Sequence, residues 1–488
     1  MAMKGLSARG LDVPTVALAL LLTATTVVRF TVYPGPLWLD EVWTGMIVTQ
    51  PSLASFVHQC AIDVNGPLYS VMAALWAFIF GVSDRALRAL PALLGAAAPL
   101  LALAPRRLLV RSTRYVWSAL LACWIPGLLF SEEARPYTLC LFLGVANGIA
   151  FAALMNSPGR RAAWTWTAVS ALFILAHYFV ALIVAVQGLT YLAIHRRRAV
   201  ATWPAALAFA PVPITIALQL NSLQSFATPK TSWVRIIDWD IALSGVVFLF
   251  GVPILAITAG AWLAIMLVVR LRGRTEPPLP LTTFGPWLAA GSALLGVLTA
   301  FLVGLVRSVF VDRYLTGYTP GVMLGLAMVA TYFARGWALR TPALVVPFAA
   351  MAAIWAARPH DQENLLSWEA ASDSLMRDHV TRVAFLWDTP LGGDPSATAG
   401  IGGFFFRRAG YPVTVRPVIP SPGVDPNLAL ARLAVGPGAG LIWIFDRNVV
   451  GTAAVRFPPR LMQLNPALSC KDFGAMQFGV IACHTPAG

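Results

Sequence analysis

The sequence predicts a polytopic all-α membrane protein of about eleven transmembrane helices carrying a small C-terminal α/β domain, and three observations predict it. Hydrophobic residues make up 58% of the 488 positions and charged residues only 11%, far from the balance of soluble chains. Apolar runs long enough to cross a ~30 Å hydrocarbon core recur along the chain. The formal charge of +14 is unevenly distributed. A soluble multidomain enzyme, a disordered chain and a disulfide-stapled secreted protein are excluded.

The spans are expected at 13–33, 86–104, 115–130, 138–155, 164–178, 179–194, 203–220, 241–269, 284–306, 318–334 and 342–357. The first follows Lys4 and Arg9, as a signal peptide would, but it is long and lacks a small-x-small exit, so it reads as a retained helix. An odd count puts the N-terminus inside and the C-terminus outside. The segments then assigned to the cytoplasm (1–12, 105–114, 156–163, 195–202, 270–283 and 335–341) hold sixteen Lys or Arg against two acids. The outward loops hold seven bases against nine acids. This is the positive-inside pattern, so the net charge reports orientation and no nucleic-acid partner is expected. Residues 164–194 are basic at both ends and read as two crossings meeting outside at His177-Tyr178. Residues 67–83 read as an amphipathic helix at the outer interface.

Two domains follow: residues 1–357 form the membrane body, with a long first outer loop at 34–86, and residues 358–488 form the outer α/β domain. In the latter, VAFLWD (383–388), VTVRPV (413–418) and LIWIF (441–445) have strand character between Gly, Pro and Asp breakers. GGDPSATAGIGG (392–403) fits no phosphate-loop spacing and reads as an ordinary loop. Cys470 and Cys483 share this domain, where an oxidising compartment allows a disulfide. Cys60 is left unpaired, and Cys123 and Cys140 read as buried apolar residues.

Five polar groups fall on the outward face. Asp40 and Glu41 follow the first span between Trp38 and Trp43; neighbouring, partly buried carboxylates have pKa values pushed apart and can serve acid–base chemistry, or they can be a solvated loop under an aromatic belt. Asp63 precedes Asn65-Gly66-Pro67-Leu68-Tyr69. Glu132, Glu133, Arg135 and Tyr137 form the third group, which could equally be a self-satisfied ion pair. His177 with Tyr178 is the fourth. Arg307 with Asp312-Arg313-Tyr314 is the fifth; arginine binds phosphate bidentately or simply snorkels.

In this order the motifs resemble those of GT-C glycosyltransferases, in particular the bacterial protein O-mannosyltransferase and lipid A aminoarabinose transferase relatives. The resemblance spans roughly residues 13–357, with an outer C-terminal domain of the kind many relatives carry. It implies an inner-membrane enzyme that moves a sugar, with inversion, from a polyprenyl-phosphate donor to an acceptor hydroxyl on the periplasmic face. It implies Asp40 as base and Glu41 as its companion, Glu132 or Glu133 as a second acid, and Arg313 and Tyr314 toward the donor phosphate. Aminoarabinose-type relatives carry a Lys before the proline of the second group, where this chain has Gly66. The acceptor is a glycan, lipid or protein, and membrane lipids surround the body. Asp238-Trp-Asp240 is superficially like the metal-binding DxD of nucleotide-sugar transferases, but at an outer helix mouth no metal or other cofactor is expected. A transporter or flippase of a lipid-linked glycan, or a glycan polymerase, is the competing reading. Transporters place acids at the midplane of repeated halves, and here the acids sit at helix ends with no repeat.

Overall fold

A computed structural model describes residues 12–31, 35–227, 234, 236–250, 284–333, 368–388, 394–419, 426–446, 457–474 and 478–486. The expected span 342–357, the distal half of 241–269 and the segments 270–283 and 335–341 expected in the cytoplasm lie outside them. The first helix, α1 (Val13–Thr31), leads into the long loop, which folds as α2 (Leu39–Val48), α3 (Leu53–Ile62) and α4 (Leu68–Phe80). The bundle continues through α5 (Asp84–Leu101), α6 (Arg111–Cys123), α7 (Ile125–Leu129), α8 (Tyr137–Asn156), α9 (Arg160–Ala176) and α10 (Ala181–His195). Helices Phe284–Val306 and Thr319–Phe333 pack against α8 and α6 respectively.

Among the described residues, four helices are long and apolar enough to cross a membrane, and up to six if two bent pairs each count as one span. The bends explain why two expected spans are not single rods. Pro126 lies within the run 115–130 and has no N–H to donate to the Ala122 carbonyl, but it suits the first turn of a new helix; α6 ends at Cys123 and the chain turns by 62°. The run 203–220 bends by 68° at Gln219. Residues 67–83 form α4, whose 13 residues reach only ~20 Å, too short to span. Phe78, Ile79 and Leu75 on it are exposed. The run 164–194 divides at His177, which is extended between α9 and α10.

The C-terminal region carries a five-stranded sheet in the order β2-β1-β3-β5-β4, formed by β1 (Arg382–Asp388), β2 (Thr414–Val418), β3 (Ala439–Asp446), β4 (Ser469–Asp472) and β5 (Phe478–His484). β1 is parallel to β2 and β3, whereas β5 runs antiparallel to β3 and β4. Cys470 and Cys483 stand directly opposite on β4 and β5 and are joined in a disulfide. The segment 392–403 departs from the expected loop: Pro395–Gly402 is a helix, because Asp394 accepts a hydrogen bond from the Ala397 N–H and Pro395 suits the first turn.

Alternation along the strands sends side chains to two faces. Ala384, Leu386, Leu441 and Trp443 pack on one side, and Val383, Phe385, Ile442 and Ile444 on the other. The second face shares its core with Leu37, Val42, Met46 and Ile47 of the first loop. The rings of Trp43 and Trp387 meet edge to face at 6.4 Å. Arg408 pairs with both Asp84 and Glu369 while lying over the Phe405 ring. The sheet domain therefore backs the helix that bears Asp40.

Candidate active site

Asp40 and Glu41 occupy the first turn of α2, where the helix dipole favours carboxylates. Consecutive helical residues diverge by about 100° around the axis, and the pair separates accordingly. Glu41 turns inward and is fully buried. Its Oε1 accepts from Arg88 Nε at 2.7 Å and from the Ala134 N–H at 2.8 Å. Oε2 takes a second contact from Arg88 and the Trp38 N–H at 3.1 Å. Arg88 also donates to the carbonyls of Gly35 and Pro36. Glu41, expected beside the base in catalysis, is thus a structural anchor, because both its oxygens are committed and no surface is left for a substrate. Arg88 gave no sequence signal, since it reads as an ordinary residue of the second span.

Asp40 turns toward the bundle. Its Oδ2 stands 3.5 Å from Arg313 Nη1, with side-chain exposures of 25% and 23%, so this pair, unlike Glu41 with Arg88, stays open. Arg135 donates to the Asp40 backbone carbonyl at 3.2 Å. Around Arg135 stand the charges of Asp40 and Asp63 and the phenols of Tyr137 and Tyr314. The Arg313 guanidinium lies over the Tyr137 ring at 5.8 Å, and the His177 ring packs on Tyr314 at 4.4 Å. Four connections thus supply one site: α2, the 131–137 turn, the α9–α10 junction, and the tight turn Asp312–Gly317. Asp40 Oδ2, Tyr69 OH, Arg135 Nε and His177 Nε2 are buried with no hydrogen-bond partner among the described residues. Orphaned polar atoms converging in this way are the mark of a place built to bind something polar.

The remaining expected residues divide. Glu133 is half-buried with its carboxyl in the field of Asp40 and Glu41; burial first, and those two charges second, push its pKa up to about 8 against the pull of Arg313 and Arg135. Glu132 is buried in the turn before it. Asp63 is buried, which raises its pKa, and it accepts from the Asn65 side chain at 3.0 Å. Tyr178 donates to Gln219, whose amide in turn donates to the Asp63 and Asn65 carbonyls. Tyr178 therefore fastens the loop and does not line the site; Gln219, at the bend, is a residue that sequence reasoning missed. Arg307 is exposed, one residue beyond the end of its helix at Val306. Asp238 caps its own helix through the Ile241 N–H. Among the described residues, no three His, Cys, Asp or Glu side chains could hold a metal ion.

Gly66 has a packing reason. A Cβ there would lie 2.0 Å from the Leu175 carbonyl oxygen, so a lysine at this position requires the loop and α9 to separate.

No family model matches the sequence, and no curated protein matches it. Solved structures do. ArnT from Cupriavidus metallidurans, crystallised with undecaprenyl phosphate, is 12% identical and covers 95% of this chain and 97% of its own, with a TM-score of 0.58. Its apo structure is 13% identical, over 96% of this chain and 98% of its own, also at 0.58. The arabinofuranosyltransferase AftD from Mycobacteria matches at 16% identity over 96% of this chain and 40% of its own, with a TM-score of 0.45. Over nearly its whole length, the chain shares the fold of ArnT, a lipid A aminoarabinose transferase of the GT-C type.

Proposed function

We propose that the protein is a glycosyltransferase of the inner membrane that uses a polyprenyl-phosphate sugar at the periplasmic face. The observation that carries this reading is the open Asp40–Arg313 pair beside Arg135, on a fold whose solved example binds undecaprenyl phosphate. In the proposed reaction the acceptor oxygen attacks the sugar's anomeric carbon from the face opposite the phosphate. The bond from that carbon to the phosphate oxygen breaks and the configuration inverts. Asp40 takes the acceptor's proton, and the polyprenyl phosphate leaves with its charge held by Arg313 and Arg135. These arginines supply the cationic stabilisation, so the proposal includes no metal. An acid and a cation in contact suit this pairing: arrival of a phosphate draws Arg313 away and leaves Asp40 as a free base.

The disulfide supports an exported C-terminal domain, because such bonds persist in oxidising compartments. A periplasm-only reporter fused after Gly488 is expected to be active. The reaction itself is tested with purified protein and a panel of undecaprenyl-phosphate sugars. Donor consumption that releases undecaprenyl phosphate, and that Asp40→Asn slows by about 10²–10⁴-fold, is the expected result. No consumption, with movement of the lipid-linked sugar between leaflets of proteoliposomes, would replace the transferase with a flippase.

A further inference from the structure

Arg29 is a cation inside the first span, 3% exposed, and among the described residues no carboxylate bonds to it. A cation buried in the last turn of α1 and held only by neutral groups is costly and calls for a task. Its guanidinium is held by neutral oxygens: Nη1 donates to the Thr25 carbonyl at 3.0 Å, Nη2 to the Ala122 carbonyl at 3.3 Å, and Nε to Ser131 Oγ at 3.2 Å. The last two acceptors lie on opposite limbs of the bent segment. Ala122 belongs to the last turn of α6, whose final carbonyls lose their helical partners where the helix stops at Cys123. Ser131 lies past the bend, in the turn Phe130–Glu132, and passes the contact on by donating to the Gly127 carbonyl at 2.6 Å. A positive charge at a helix C-terminus is favourable, so Arg29 stabilises the break and ties its two sides together. The approach is close enough that a Cβ on Gly95 would fall 2.3 Å from Ser131 Oγ and 3.2 Å from Arg29 Nε.

We infer that Arg29 is a positioning residue. It sets the angle of the bent span and so fixes the 131–137 turn, from which Glu133, Arg135 and Tyr137 reach the site. The inference rests on the reading of that turn as part of a polyprenyl-phosphate site. Lysine keeps the charge but lacks the fork that holds both limbs.

Two measurements on the full-length protein in detergent decide the matter. In hydrogen exchange, Arg29→Met is expected to speed the amides of 124–135 while those of α8 and the sheet stay at wild-type rates. Ser131→Ala is expected to do the same, with no further gain in the double variant, and Arg29→Lys to fall between. Binding of undecaprenyl phosphate is expected to weaken about tenfold in Arg29→Met, within the range by which residues that act through others change an affinity, with a smaller loss in Ser131→Ala and the double variant matching Arg29→Met. Unchanged exchange, uniformly faster exchange, or additive losses would each overturn the inference. If wild-type protein binds no undecaprenyl phosphate, the proposed function fails, and the exchange arm alone still decides whether Arg29 holds the turn. Gly95→Ala, which crowds Ser131 from another helix, is expected to reproduce the local exchange pattern; failure to do so counts against the Arg29–Ser131 link.

Discussion

Asp40 and Glu41 differ by one methylene and one position, and they share the same helical turn. One is paired with Arg88 in a fully closed nest of four donors; the other faces Arg313 at 3.5 Å, a quarter exposed. The difference is in what surrounds the oxygens. Around Glu41, α5 and the Ala134 backbone leave no lone pair unused, so the charge stabilises the joint between the first loop and the bundle. Around Asp40, one cation meets the carboxylate at ion-pair distance and buried polar atoms nearby go without partners. A saturated pair holds structure, whereas an unsaturated one is available for chemistry. Exchanging or removing either carboxylate puts that distinction to measurement.

The largest effect is expected from Asp40→Asn, which keeps the shape and removes the basic oxygen. Turnover is expected to fall by about 10²–10⁴-fold, the usual cost of losing a general base, with the thermal midpoint close to wild type. A variant that unfolds instead would mean that Asp40 belongs with Glu41 as structure.

Glu41→Gln is expected to act in the opposite column. Removing one partner of a buried pair strands the other, at a cost of about 3–5 kcal/mol, so Glu41→Gln and Arg88→Met should each lower the denaturation midpoint sharply. Replacing both with apolar residues of similar volume is expected to recover most of the loss, because no uncompensated charge then remains. Normal stability in Glu41→Gln, with turnover abolished, would return Glu41 to the reaction.

How much of this was legible in the sequence follows from the range of each interaction. The helices of the body read directly from apolar runs, and the strands of 382–388, 414–418 and 439–446 from β-branched and aromatic clusters. The bend at Cys123 had a local signal in Pro126, and that at Gln219 only a lone polar residue inside an apolar run. Asp40 could be picked out because a charged residue just past a span is conspicuous. The fate of Glu41 could not, because it depends on Arg88 in a later helix and on the backbone of Ala134. β4 and β5 also escaped notice, since their alternation is short and interrupted. The motif order pointed to the right fold, whereas the assignment of Tyr178 to the site rested on its neighbour His177, and the fold turns its hydroxyl to Gln219.

Arg313→Lys sharpens the open side of the comparison. A lysine keeps the positive charge against Asp40 but loses the planar fork that meets two phosphate oxygens. Affinity for undecaprenyl phosphate is expected to drop about tenfold with stability unchanged, measured by titration of the purified protein. Wild-type affinity in both Lys and Ala variants would mean that Arg313 serves only to hold Asp40.

The smallest effect concerns Glu133, which stands between the two regimes: half-buried, near both carboxylates, yet bonded like neither. Its pKa is pushed up to about 8, above the ordinary carboxylate value, so the folded protein holds a proton there that the unfolded chain gives up. Between the ordinary value and about 8 the native state binds more protons, and stability therefore declines as pH rises through that window. The decline ends above about 8, where both states are ionised. Glu133→Gln cannot ionise, so its thermal midpoint is expected to fall less over the same range, with the gap between the two proteins widening toward the alkaline side and then holding constant. At neutral pH the neutral carboxyl is also a hydrogen-bond donor, a role the glutamine amide preserves; activity of the variant at pH 7 is expected to stay near wild type and to outlast it above pH 8. If wild type and Glu133→Gln run parallel from pH 5 to 9, Glu133 is ionised throughout, and three carboxylates rather than two share the charge of Arg135 and Arg313.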